Sequence, residues 1–136
     1  FANSKECSRA CLFPPQCVPL SAQKNKPIFC NVGDDNGKSC DSNITNGVQN
    51  ILRNVSSHTH VINGRFRGGW TTRHYGRPQD GVHTIQMELA QRTYLEAELP
   101  PFNYDAEKAS SLRSVLSDIL QDINKTILKS SSGGSL

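Results

Sequence analysis

Eight apolar residues near the C-terminus, Ala109, Leu112, Val115, Leu116, Ile119, Leu120, Ile123 and Ile127, recur at helical steps. That spacing gathers them on one stripe of a single helix, and such a stripe needs an apolar partner to be stable in water. Upstream, Ile44, Val48, Ile51, Leu52 and Val55 repeat the pattern. Behind them Asp41 or Ser42 is a candidate cap, which predicts a second packing helix ending near Asn54. Short runs of β-forming residues stand around it: Pro27 to Val32, His58 to Asn63 and Val82 to Leu89. Strand, helix and strand in alternation predict an α/β fold.

The connections carry turn chemistry. Gly33 to Gly37 reads as a loop, Gly64, Gly68 and Gly69 punctuate a basic loop, and Gly76 to Gly81 is turn-rich. Thr71 to Tyr75 reads as a short strand or loop edge, and Ala90 to Glu96 as a short helical run. Pro100-Pro101 breaks the chain before Asp105, which caps the last helix, with Glu107 favourable in its first turn. Residues 1–26 show no period and hold three of the seven prolines, so they read as an irregular segment, foreign to the fold. Residues 130–136 read as a flexible Gly/Ser tail.

On a straight strand, Val82, Thr84, Gln86 and Glu88 share one face, while His83, Ile85, Met87 and Leu89 share the other. Charge is distributed unevenly. No Asp or Glu occurs between Asp41 and Asp80, and that gap holds Arg53, Arg65, Arg67, Arg73 and Arg77. Arginine forks suit carboxylates, so this block reads either as an anion site or as a solvated surface. A net charge of +3 is too mild to argue for nucleic acid. No apolar run approaches the roughly 20 residues of a membrane helix. The five cysteines, Cys7, Cys11, Cys17, Cys30 and Cys40, are odd in number and lack zinc-site spacing.

The stretch Val61 to Tyr94 reads VINGRFRGGWTTRHYGRPQDGVHTIQMELAQRTY. Its N-G-R-F-x-G-G-[WY]-x-T-R-H-Y-G segment and its G-V-H-x-[IL]-Q-x-E-[IL] segment resemble the N-formylglutamate amidohydrolase family. Weaker similarity covers Asn31-Val-Gly, Asn36 to Asp41, and Leu99 to Ala109. The resemblance implies a partial three-layer α/β/α architecture with a mixed sheet, like the C-terminal half of a zinc carboxypeptidase-like hydrolase, over residues 27–129. It implies hydrolysis of N-formyl-L-glutamate to formate and L-glutamate, in cytoplasmic histidine degradation. It further implies a divalent metal, zinc, whose ligands lie upstream of this chain, which is then inactive alone.

Within that scheme Glu88 is the candidate general base, matching the acid of the Q-x-E motif; the competing reading is a structural carboxylate paired with an arginine. Arg73, Arg65 and Arg77 are candidates for gripping the substrate's two carboxylates, Arg73 first. His74 is a candidate donor to substrate or oxyanion, against a satisfied loop histidine. His83 reads as a packing residue, and His58 with His60 as a pair short of a third metal ligand. Two other functions compete: an anion- or dicarboxylate-binding α/β module without chemistry, and a small secreted disulfide protein.

Overall fold

The computed structural model describes residues 28–56 and 59–132. The expectations for residues 1–26, for Pro27, for His58 and for 133–136 lie outside the described residues. Three strands, β1 (Ile28–Gly33), β2 (Thr59–Ile62) and β3 (Gln86–Leu89), form a mixed sheet in the order β2-β1-β3. β1 pairs parallel with β2 and antiparallel with β3. Three helices complete the fold: α1 (Ser42–Arg53), α2 (Trp70–Tyr75) and α3 (Ala106–Ser132).

The periodic segments fold as their spacing predicts. Asp41 caps α1, its side chain accepting from the Asn43 N–H at 2.7 Å, an interaction of about 1 kcal/mol. Ile44, Val48 and Leu52 of α1 are buried. Val48 and Leu52 meet Phe29, Cys30 and Val32 of β1 and Leu112 and Ile119 of α3 in one core. A bulge between Ile28 and Cys30 breaks the alternation of β1, so that Phe29 and Cys30 are both buried in that core. Asp105 accepts from the Lys108 N–H at 2.9 Å at the start of α3, as a cap should.

Several expectations are corrected. The eight-residue stripe of α3 is too wide: Leu120 is 62% exposed and Ile127 is also exposed, whereas Ile119 is buried. Neighbouring residues on a helix point about 100° apart, and Leu120 falls at the edge of the stripe, where it turns to solvent. The helix also runs through Ser132, past the point where a tail was expected. Strand pairing begins at Gln86 rather than Val82, because the earlier residues are committed elsewhere. The Thr84 N–H donates to the Ser39 carbonyl, and Arg77 and Val82 bridge each other. Thr71 to Tyr75 is helical, and Ala90 to Glu96 contains only a 3₁₀ turn, Gln91–Thr93. Of the three layers expected, the described residues build the sheet and one helical layer. A loop covers the second face instead.

Candidate functional site

The second face of the sheet is polar. In the β1–β3 register Asn31 lies opposite Glu88 and Gly33 opposite Gln86, while Met87 and Leu89 pack on the core side. Residues 63–69 cross this face, and three attachments hold them there. Asn31 is buried and grips the Phe66 peptide from both ends, Nδ2 donating to its carbonyl at 2.5 Å and Oδ1 accepting from its N–H at 3.3 Å. Gln86 Oε1 accepts from the Gly69 N–H at 2.5 Å and from Thr72 Oγ1 at 3.5 Å. The Asp35 N–H donates to the Arg67 carbonyl at 2.6 Å.

The loop touches the sheet backbone to backbone. A Cβ added at Gly33 meets Arg67 C at 2.6 Å, the Phe66 carbonyl oxygen at 2.7 Å and Gly68 N at 2.8 Å. None of these is a flexible side-chain end, so the loop itself must move. Gly33→Ala is expected to cost about 2–3 kcal/mol in urea unfolding, the size of an overpacking defect. It is also expected to speed hydrogen exchange at the loop amides Phe66 and Gly69.

Beneath the loop entry lies a buried carboxylate. Asp34 is 3% exposed. It accepts from Asn63 Nδ2 at 2.6 Å, Thr45 Oγ1 at 2.8 Å and the Gly37 N–H at 2.8 Å. Asn63 returns two bonds, its Oδ1 accepting from the Asp34 and Asn36 N–H groups. Burial pushes the Asp34 carboxyl up, but the donors, Asn63 and Thr45 foremost, outweigh it and hold it below its usual range. Asp34 and Asn63 thus lock the loop after β1 to the loop after β2.

Glu88 is half-buried on this polar face, and Gln86 Nε2 donates to its Oε1 at 2.6 Å. Gln86 therefore links Glu88 to the start of α2. Arg73, on α2, is exposed and donates from Nη1 to the Gly68 carbonyl at 2.5 Å, which ties the guanidinium to the same loop. Arg65 is exposed between Gly64 and Phe66, its guanidinium carbon 5.9 Å from the Phe66 ring centroid. Glu88, Arg65 and Arg73 are thus joined through Asn31, Gln86 and the loop.

Two candidates stand apart from this set. Arg77 pairs with Asp80 at 3.3 Å across an exposed turn, an interaction of little energetic consequence. His74 stacks on Trp70, ring centroids 4.2 Å apart, beside Tyr75. His83 accepts at Nδ1 from the Asp41 N–H at 3.2 Å and so serves the α1 cap. Burial, with Arg53 nearby, lowers the pKa of His60.

Among the described residues no three His, Cys, Asp or Glu side chains converge as metal ligands. They do not fit a metal site by themselves. Cys30 and Cys40 are free and buried, and burial, reinforced by the charge of Glu88, pushes the Cys30 thiol up to about 12. They form no disulfide with each other, which removes one support from the secreted-protein reading. No described helix is long and apolar enough to cross a membrane.

The family model described as N-formylglutamate amidohydrolase matches residues 12–95. The match begins inside the segment that looked foreign to the fold. The chain is 41% identical over 106 residues to N-formylglutamate deformylase of Pseudomonas aeruginosa, covering 78% of this chain and 39% of the relative. It is 44% identical over 104 residues to the deformylase of Pseudomonas putida, covering 76% and 38%. The chain therefore spans about two-fifths of the length of these curated relatives. The crystal structure of N-formylglutamate amidohydrolase from Ralstonia eutropha JMP134 superposes with a TM-score of 0.60 at 20% identity, over 82% of this chain and 38% of that one. This last likeness speaks to the fold.

Proposed function

Because this chain belongs to the N-formylglutamate amidohydrolase family, we propose that it forms part of a hydrolase cleaving N-formyl-L-glutamate to formate and L-glutamate. The observation that carries the reading is Glu88: a carboxylate set on the polar sheet face, oriented by Gln86, under a loop that bears Arg65 and leads to Arg73. In this proposal Glu88 takes a proton from the attacking water and returns it to the leaving nitrogen. Arg73 and Arg65 hold the two carboxylates of the substrate, with Arg77 and His74 at the margin. A fork held at one nitrogen, as Arg73 is by Gly68, keeps its other donors for the ligand.

A divalent metal, zinc, belongs to the same proposal, and its ligands are assigned to residues other than those described. So does the architecture of a zinc carboxypeptidase-like hydrolase, with the missing layer supplied by the remainder of the domain. The 136-residue chain is proposed to be inactive by itself, and the complete enzyme to work in cytoplasmic histidine degradation.

The test is formate release from N-formyl-L-glutamate by the full-length protein, with and without a chelator. Chelator-sensitive release is expected, and none from the 136-residue chain alone. Arg73→Ala is expected to raise KM about tenfold or more, with Arg73→Lys recovering only part, because an ammonium supplies charge without the fork. A folded, metal-loaded full-length protein that releases no formate leaves the non-catalytic dicarboxylate-binding module as the surviving reading.

A further inference from the structure

Asn31 is the buried polar residue of the sheet to which the proposed chemistry gives no part. It is 1% exposed, and in the β1–β3 register it lies directly opposite Glu88. Side chains of directly opposite residues share a face, with Cα atoms about 4.5–5.5 Å apart. The Asn31 amide is spent on the loop above, Nδ2 donating to the Phe66 carbonyl and Oδ1 accepting from the Phe66 N–H. The Phe66 nitrogen is bonded to the carbonyl carbon of Arg65, so one of the planar peptides that Asn31 holds belongs to Arg65. The Arg65 guanidinium lies over the Phe66 ring, 5.9 Å from its centroid. On the other side of Arg65 the fit to Asn31 is also close: a Cβ added at Gly64 would stand 2.9 Å from Asn31 Oδ1. Glu88 and Arg65 are thus fixed to facing residues of two paired strands, and one buried amide sets the distance between them.

We propose that Asn31 is a positioning residue that sets the span from Glu88 to Arg65 and so selects the chain length of the N-formyl dicarboxylate. The inference rests on the proposed hydrolysis, with Glu88 at the scissile amide and Arg65 on the side-chain carboxylate. A carboxylate one methylene nearer the amide falls short of a guanidinium whose backbone is pinned, and a two-pronged ion pair tolerates little displacement. The experiment compares formate release by the full-length protein from N-formyl-L-glutamate and N-formyl-L-aspartate, which differ by that methylene. The wild type is expected to favour the glutamate about 100-fold in kcat/KM, a discrimination that one methylene can carry. Asn31→Asp keeps the shape and the acceptor but loses the donor to the Phe66 carbonyl, and it is expected to cut the preference to about tenfold or less. A folding defect alone lowers both substrates together and leaves their ratio as it was. Gly64→Ala crowds Asn31 Oδ1 from the loop side without removing a hydrogen-bonding group. It is expected to move the ratio the same way, and it carries the test if Asn31→Asp does not fold. In an Arg65→Ala background Asn31→Asp is expected to leave the ratio unchanged, because two residues acting through one contact are not additive. A ratio unchanged in either variant, shown to be folded by circular dichroism, overturns the inference. So does a wild type that does not discriminate, or an Asn31 effect that persists without Arg65. A wild type that releases formate from neither substrate overturns the hydrolysis itself, and this inference with it.

Discussion

Glu88→Gln in the full-length protein is expected to lower formate release about 10²- to 10⁴-fold, the usual contribution of a positioned acid–base group. The substitution is close in shape, and the amide retains an oxygen that can accept from Gln86 Nε2, which now bonds Glu88 Oε1 at 2.6 Å. The fold should therefore persist, because neither the loop anchors at Asn31 nor the core beneath β3 involves the Glu88 carboxylate. Loss confined to kcat, with KM and urea midpoint held, is the pattern for a group that acts on the reacting atoms. A structural Glu88, the competing reading, predicts the reverse: a lowered midpoint and activity that falls only as far as folding does. Circular dichroism and steady-state kinetics on the same preparations separate the two. Gln86→Ala is the companion measurement, since it removes Glu88's neighbour and the acceptor for the Gly69 N–H together.

What could be read in advance follows from the range over which each signal acts. Ile44, Val48 and Leu52 repeat every four residues, and local repetition is enough to specify an amphipathic helix, so α1 and most of α3 are legible. The shared face of Gln86 and Glu88 was legible for the same reason, strand alternation being a two-residue property. Asn31 and Asp34 were not. Their partners Phe66 and Asn63 lie 35 and 29 residues away, and no local pattern marks a polar residue as buried. Asp34 stands in a run of turn residues, Gly33 to Gly37, whose composition predicts a loop and gives no sign of burial. The helix α2 was hidden because it is a single short element opened by Gly69 without a side-chain cap, and Thr71 and Thr72 favour strands. The α3 stripe is narrower than its apolar residues suggest, because periodicity marks a face but not its edges: Leu120 lies outside it, while Ile119 before it is buried and Ile123 beyond it still packs against the core.

Asp34→Ala is expected to destabilise the fold by about 3 kcal/mol or more, because a buried carboxylate's donors lose their common acceptor at once. Asn63 Nδ2, Thr45 Oγ1 and the Gly37 N–H all converge on it, and a methyl group replaces none of those bonds. The pH dependence follows from the direction of the shift. In the folded state the donors outweigh burial and hold the Asp34 carboxyl below its usual value. The unfolded chain then binds the proton more readily than the folded one. Its contribution to stability is present in full above the ordinary aspartate value of about 3.9. It is lost as the pH falls through the folded value. Urea unfolding of the wild-type chain should therefore weaken across that acidic window, while Asp34→Ala, already weaker at neutral pH, should lose less there. Parallel curves for the two proteins through the window would show that Asp34 is not the group whose protonation loosens the fold. Coincident curves at neutral pH would show that the loops after β1 and β2 do not need it. Because Asn63 sits at the entry of the 63–69 loop, the same variant should also release the Arg65 end of the proposed substrate grip, joining a stability effect to a rise in KM in the full-length enzyme.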